Sequence, residues 1–305
     1  MNEVVLKLKN ITKSYGDKVA VNNINMTIRK GEIYGLIGRN GAGKTTLIRL
    51  ITSLTFADSG EIELFGETTK SGLQEARKRL GCVIETPALY PNLTAYQNLE
   101  YYQRLKGIPN KQDIIKTLEI VGLTDTRNKK FKNFSLGMKQ RLGIALALLN
   151  NPDFIILDEP INGLDPMGII EMREIIKRLN EEYRITIMIS SHILTELSLV
   201  ATQYGVIDEG RMVKEFTHEE LNAKCQRCLA FVVNDTVKTA SVFETVLKTK
   251  NYKVISDKEI RLYDYLENPS KVNQELISNG IAVISSIEVG DKLEDYFRSL
   301  VMEGK

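Results

Sequence analysis

A chain of 305 residues, 43% hydrophobic and 26% charged, has enough apolar content for a real core and enough length for one large and one small domain. Its net charge of +2 gives no electrostatic reason to expect nucleic acid or a strongly anionic surface as partner. No apolar run approaches the roughly 18–20 residues that cross a bilayer, and the Met1-Asn2-Glu3-Val4 start lacks signal-peptide architecture, so a cytosolic chain is expected and any membrane role calls for another polypeptide.

Val4 to Leu8 alternates as a strand, Ile11 to Gly16 follows, and Val19 to Val21 and Ile24 to Ile28 read as further strand before an Arg29-Lys30-Gly31 turn. Tyr15 has two readings: a ring stacked on adenine or, favoured by spacing alone, an ordinary half-buried strand tyrosine. Glu32 to Ile37 reads as a buried strand and Thr46 to Thr52 as a helix. Between them lies Gly38-Arg39-Asn40-Gly41-Ala42-Gly43-Lys44-Thr45, a phosphate-binding loop of the form G-x-x-x-x-G-K-[ST]. In that setting backbone N–H groups and a helix N-terminus point at one anion, and the glycines let the backbone approach a phosphate. Lys44 then reaches the β- and γ-phosphates, and the Thr45 hydroxyl sits on Mg²⁺.

Asp58-Ser59-Gly60 is a turn, Glu61 to Gly66 a strand, and Leu73 to Leu80 a charged amphipathic helix. Gly81 to Ile84 is a short buried strand ending at Glu85-Thr86-Pro87. Tyr90, Tyr96, Tyr101 and Tyr102 then mark a tyrosine-rich segment whose helix starts near Asn92-Leu93-Thr94, and Asp113 to Val121 is a helix closed by Gly122. A helical subdomain of about residues 86–150 is expected, inserted between the phosphate loop and the rest of the site. Phe134-Ser135-Leu136-Gly137-Met138 opens a long helix through Leu149; a plain Ser135 cap and an anion site at exposed N–H groups are equally open readings.

Phe154 to Leu157 is an apolar run that delivers Asp158 and Glu159 at its C-terminal end, where an α/β sheet places its ligand. Asp158 suits Mg²⁺ and Glu159 suits a base for an attacking water. Asn162 to Pro166 is a turn, Ile169 to Leu179 a helix, and Ile185 to Ser190 a second apolar strand that puts His192 at the same sheet edge, within reach of a γ-phosphate. Gln203 to Val213 reads as a hairpin turning at Asp208-Glu209-Gly210, and His218 as solvated at a polar helix start. Cys225-Gln226-Arg227-Cys228 has the spacing of half a zinc site, but with one further cysteine and two histidines in the chain no metal is assigned to it. From about residue 220 the order β-α-β-β-α-β is that of a split βαβ unit, with no cluster that suggests chemistry.

Motif order and residues together resemble the nucleotide-binding subunit of an ABC transporter over roughly residues 4–215. The resemblance implies an α/β P-loop NTPase of ABC type: a mixed sheet core, an antiparallel β subdomain and a helical subdomain in residues 1–218, then a small C-terminal α+β domain in 219–305. It implies ATP and Mg²⁺ as cofactors. Gly38 to Thr46, with Arg39, Asn40 and Ala42, would hold phosphate; Lys44, Glu159 and His192 would carry catalysis; Thr45, Asp158 and Glu85 would hold the metal. Tyr15 becomes the ring on adenine. Ser135 and Gly137 stand where the family's signature motif binds the γ-phosphate held by a second subunit, and Asp165 in the loop after Glu159. Two polypeptides in a head-to-tail dimer would then close each site.

Two departures from the family stand out. Phe134, Leu136 and Met138 replace usual signature residues while Ser135 and Gly137 are kept. Glu85 stands where glutamine is usual, which adds negative charge beside the γ-phosphate. The Glu85 to Thr94 stretch resembles the group that exports bacitracin or lantibiotics and confers self-protection. The resemblance further implies a separate membrane permease as partner, docked by the Tyr90 to Tyr102 segment at the cytoplasmic face of the membrane, with no nucleic acid bound. The competing reading is a non-transport ABC ATPase acting on ribosomes or DNA; its relatives carry paired cassettes or coiled-coil insertions, and this chain has one cassette and no sustained heptads.

Overall fold

A computed structural model describes residues 3–108, 112–225, 227–290 and 293–303. The chain divides into two compact units, Met1–His218 with Leu300–Lys305, and Glu219–Ser299. In the larger unit, strands β1 (Val4–Tyr15) and β2 (Lys18–Arg29) form a hairpin, and β3 (Ile33–Ile37) leads through the phosphate loop to α1 (Lys44–Ile51). Then come β4 (Ser59–Leu64), α2 (Lys70–Ala76), β5 (Leu80–Val83), α3 (Ala95–Leu105), α4 (Gln112–Ile120) and α5 (Leu136–Leu148). The unit continues with β6 (Phe154–Asp158), α6 (Pro166–Glu181), β7 (Thr186–Ser191), the short α7 (Leu194–Leu197), β8 (Gln203–Asp208) and β9 (Arg211–Thr217). Helix α8 (His218–Cys225) straddles the boundary.

The strands make two sheets: an antiparallel one in the order β2-β1-β4, and a mixed one in the order β5-β6-β7-β3-β8-β9. In the mixed sheet β5, β6, β7, β3 and β8 run parallel and β9 pairs antiparallel at the edge. This is the mixed core with an antiparallel subdomain expected of the fold. Parallel strands covered on both faces read as continuous apolar runs, and every residue of β3, β6 and β7 is buried. Close approach within the sheet needs glycine: a Cβ on Gly205 would lie 2.1 Å from the Tyr34 hydroxyl, which donates to Glu215 at 2.6 Å. Burial first, and the neighbouring Glu215 carboxylate second, hold the Tyr34 hydroxyl well above its ordinary pKa.

Helices α3 and α5 carry the helical subdomain. Thr94 and Gln97 form a reciprocal capping box at the start of α3, within the Asn92-Leu93-Thr94 stretch expected to open it. Asn98, fully buried, hydrogen-bonds the Tyr90 amide and the carbonyls of Tyr90 and Thr94, which fixes the loop ahead of the helix. The low-polarity α5 is buried around much of its circumference, including Leu142, Ile144, Ala145 and Leu148.

Two expectations need correction. The helix placed at Leu73 to Leu80 ends at Ala76; Arg77–Arg79 is a 3-10 turn and Leu80 already pairs with Phe154 in the sheet. The break is set by tertiary contacts, because the Arg77 side chain donates to the Ile51 carbonyl at 3.0 Å. His218 is not simply solvated: its Nδ1 lies 2.9 Å from the Tyr204 hydroxyl and its ring stacks on that tyrosine.

The smaller unit contains β10 (Cys228–Val233), α9 (Thr236–Thr245), β11 (Tyr252–Val254), β12 (Glu259–Leu262), α10 (Pro269–Ser278) and β13 (Val283–Val289), and α11 (Leu293–Glu303) follows. Its sheet order β11-β12-β10-β13 is that of a split βαβ unit. Phe231, Phe243, Ile260, Leu262, Val272 and Leu276 form its core. Cys228 is buried at the start of β10, Cys225 is partly exposed, and Gln226 between them lies outside the described residues.

Candidate functional site

The phosphate loop, Asp158, Glu159 and His192 gather at the C-terminal ends of β3, β6 and β7. The loop is anchored by the Gly38 amide, which donates to the Ser191 carbonyl at 3.2 Å. Gly43 caps α1 with φ +111, and a Cβ there would sit 2.6 Å from the Ala20 carbonyl. Helix α1 has no side-chain cap and no acid in its first turn, so its leading N–H groups remain available to an anion.

Lys44 is buried, with Nζ 2.6 Å from the Gly38 carbonyl and 3.2 Å from that of Arg39. It also lies 3.1 Å from Glu159 Oε1. That carboxylate oxygen has no aligned hydrogen-bond donor, so the contact is an ion pair. On the other side Glu159 Oε2 is 2.8 Å from His192 Nδ1, which places the Nδ1 proton toward the carboxylate and leaves Nε2 on the far side of the ring. Glu159 itself has φ +50, a left-handed conformation that costs a glutamate energy and collects at functional sites.

Asp158 is 3% exposed, and its two oxygens are separately engaged. Oδ2 accepts from the Thr45 hydroxyl at 3.0 Å, and Oδ1 accepts from the Ser190 hydroxyl at 2.5 Å. A carboxylate and a hydroxyl oxygen in contact beside a phosphate loop are hard donors of the kind Mg²⁺ takes, so these residues fit the metal.

Tyr15 stands beside the phosphate loop. It is 49% exposed at the end of β1, and lines a cleft of about 520 Å³ with Lys18, Ala20, Arg39, Lys44 and Glu159. Asn40, Gly41, Gly43, Thr45 and Thr46 line the same cleft, and Ala42 is buried behind it. Gly38 is part of the loop's buried base. A larger cleft of about 770 Å³, bordered by Phe56, Ile62, Leu73 and Arg77, holds none of the expected site residues.

Ser135, Gly137, Asp165 and Glu85 stand outside the phosphate loop and the ends of β3, β6 and β7. Ser135 caps α5, accepting from the Met138 amide at 3.2 Å, and is exposed. Asp165 caps α6, accepting from the Gly168 amide at 2.9 Å. Neither lines the Lys44 cleft, nor does Gly137. A Cβ on Gly137 would lie 3.8 Å from Leu164, so the α5 start and the loop before α6 adjoin each other. Glu85, expected on the metal, is exposed, has φ +57 and is ion-paired to Arg49 at 2.6 Å. The last turn of α1 supplies that cation.

Sequence reasoning missed Ser190 and Ser191 as site residues. The only signal was that a second buried strand ends beside the first, with hydroxyls where Asp158 needs a partner.

The sequence profile of the ABC transporter family matches residues 21–162. The bacitracin transport ATP-binding protein BcrA of Enterococcus faecalis is 41% identical over 302 residues, covering 99% of this chain and 98% of that protein. The lantibiotic transport ATP-binding protein SrtF of Streptococcus pyogenes is 47% identical over 212 residues, 69% of this chain and 90% of that protein. Among solved structures, a dimeric post-hydrolysis ATP-binding cassette bound to ADP and Pi matches with TM-score 0.64 and 28% identity, covering 70% of this chain and 99% of that one. With phosphate loop, paired acids and histidine at one sheet edge, the chain belongs to the ABC transporter family as an ATP-binding, ATP-hydrolysing cassette.

Proposed function

We propose that this cassette drives a separate membrane permease that exports a peptide antibiotic of bacitracin or lantibiotic type, bound at the cytoplasmic face of the membrane and paired head to tail with a second ATP-binding subunit. What carries the reading is near full-length similarity to a bacitracin transport ATP-binding protein, in a chain where no helix among the described residues is long and apolar enough to cross a membrane. The tyrosine cluster supports a docking role for α3. Tyr90 and Tyr101 are both more than 40% exposed, yet pack edge to face at 4.8 Å, an amphipathic surface suited to an interface.

In this reading Tyr15 stacks on adenine, and backbone N–H groups from Gly38 to Thr46 hold the phosphates with Lys44 on the β- and γ-oxygens. Thr45 and Asp158 hold Mg²⁺, which when bound neutralises phosphate charge and aligns the γ-phosphate. Glu159 takes a proton from the attacking water as its oxygen bonds to the γ-phosphorus and the bond to ADP breaks. His192, turned toward Glu159 through Nδ1, orients that base. Ser135 and Gly137 of the second subunit close over the γ-phosphate from the exposed, Ser135-capped start of α5, with Asp165 holding the adjoining loop. Glu85, paired with Arg49 through Oε1, would be a further carboxylate available to the metal if it exchanged that partner.

A tagged chain drawn from detergent-solubilised membranes of its own organism is expected to bring with it a polypeptide of several membrane-spanning segments and to hydrolyse ATP faster in that complex. Recovery with ribosomes or DNA, and no such polypeptide, would favour the non-transport reading.

A further inference from the structure

We propose that Ser190 is a positioning residue for ATP hydrolysis, holding Asp158 and Glu159 in their working geometry through a single hydroxyl. The proposal rests on the reading of Asp158 as a metal-holding residue. Ser190 is fully buried near the end of β7 and is the direct register partner of Asp158 on β6. Its hydroxyl donates to Asp158 Oδ1 at 2.5 Å and accepts from the Glu159 amide at 3.0 Å, while its carbonyl accepts from the same amide at 3.2 Å.

Each contact has a consequence for the chemistry. Because Ser190 occupies Oδ1, the Asp158 carboxylate cannot rotate freely, and Oδ2 is the oxygen left facing Thr45 and the phosphate loop. A charge-assisted bond to a buried carboxylate is among the stronger hydrogen bonds, and among the described residues Oδ1 has no other donor. The Glu159 amide meets both acceptors of Ser190 while the residue holds φ +50, so the turn that aims its carboxylate at Lys44 and His192 hangs on the same side chain. The adjoining Ser191 continues the device: its carbonyl accepts from Gly38, and its hydroxyl accepts from the Ile193 amide just past His192. Support of this kind behind metal-binding groups commonly changes metal affinity about 10–100-fold when removed.

The test uses the full-length chain, a fluorescent ATP analogue, and Mn²⁺ as a probe for the divalent site. Nucleotide affinity is measured first in EDTA and then along a Mn²⁺ titration. Ser190→Ala and the near-isosteric Ser190→Cys, whose thiol is a weak donor, should need about 10–100-fold more Mn²⁺ to reach half of the metal-dependent gain in affinity. Affinity in EDTA should stay at the parental level, kcat should fall with KM for ATP nearly unchanged, and Ser190→Thr should recover most of the loss. Asp158→Asn should abolish the metal-dependent gain; if it keeps the gain, the metal reading of Asp158 fails. If Asp158→Asn loses the gain while both Ser190 variants load at parental Mn²⁺, the Ser190 proposal alone is overturned. Equal losses with and without metal would mark a merely structural role and overturn it as well. Should the alanine variant fail to fold, the cysteine variant, which fills the same space, decides the matter.

Discussion

Glu159→Gln is expected to reduce ATP turnover by about 10²–10⁴-fold while leaving ATP affinity close to the parental value. The substitution keeps the shape of the side chain and an oxygen that can accept from His192, which lies 2.8 Å away. It removes the carboxylate that can take a proton from water. It also removes the ion pair with Lys44, whose Nζ retains the carbonyls of Gly38 and Arg39 as partners, so the phosphate loop should stand unchanged. ATP that binds but does not turn over should accumulate a dimer, visible by size-exclusion chromatography with ATP and absent with ADP. Parental turnover in this variant would remove Glu159 from the chemistry.

Lys44→Ala is expected to weaken ATP binding by about 10²–10⁴-fold. Hydrogen bonds to charged groups contribute about 1.5–3 kcal/mol each, and loss of two phosphate contacts converts to that range at 1.4 kcal/mol per tenfold. The substitution leaves Glu159, whose side chain is only 20% exposed, with the His192 imidazole as its hydrogen-bond partner. It therefore damages the site twice: attraction for phosphate falls, and carboxylate repulsion toward phosphate is no longer offset by the lysine. Titration with a fluorescent ATP analogue measures the loss. Affinity indistinguishable from the parent would contradict the placement of Lys44 on phosphate.

The parts of this site that could be read from sequence are those where chemistry demands a local pattern. Gly38 to Thr45 shows its glycines, its lysine and its hydroxyl within eight consecutive positions. Phe154 to Asp158 and Thr186 to Ser191 show themselves because strands buried on both faces must be apolar throughout, and acids or a histidine after such runs stand out. The split βαβ order of the smaller unit is legible for the same reason, in its alternation of short strands and helices.

What escaped sequence reading depends on contacts between distant residues. Ser190 reaches Asp158 across 32 positions, and a serine at a strand end carries no local mark of that task. Arg49 takes Glu85 across 36 positions, so the carboxylate expected on the metal has a nearer cation that spacing could not reveal. Tyr15 is half-buried in a strand as spacing suggested, but that it borders the cleft depends on where β1 ends, which spacing could not show. Helix α2 stops early because Arg77 is held by Ile51 and Leu80 is taken into the sheet, both tertiary effects.

A composite site, with the phosphate loop from one subunit and Ser135 from the other, is tested most directly by mixing two inactive chains. Lys44→Ala lacks a working phosphate loop and Ser135→Arg blocks the start of α5; neither alone should hydrolyse ATP at more than a residual rate. Mixed, they form one site that joins the intact loop of the Ser135→Arg chain to the intact Ser135 of the Lys44→Ala chain. ATP hydrolysis by the mixture well above either chain alone is the expected result. A mixture no more active than its separate components, in a preparation where dimers of the two chains are shown to form, would contradict a shared site.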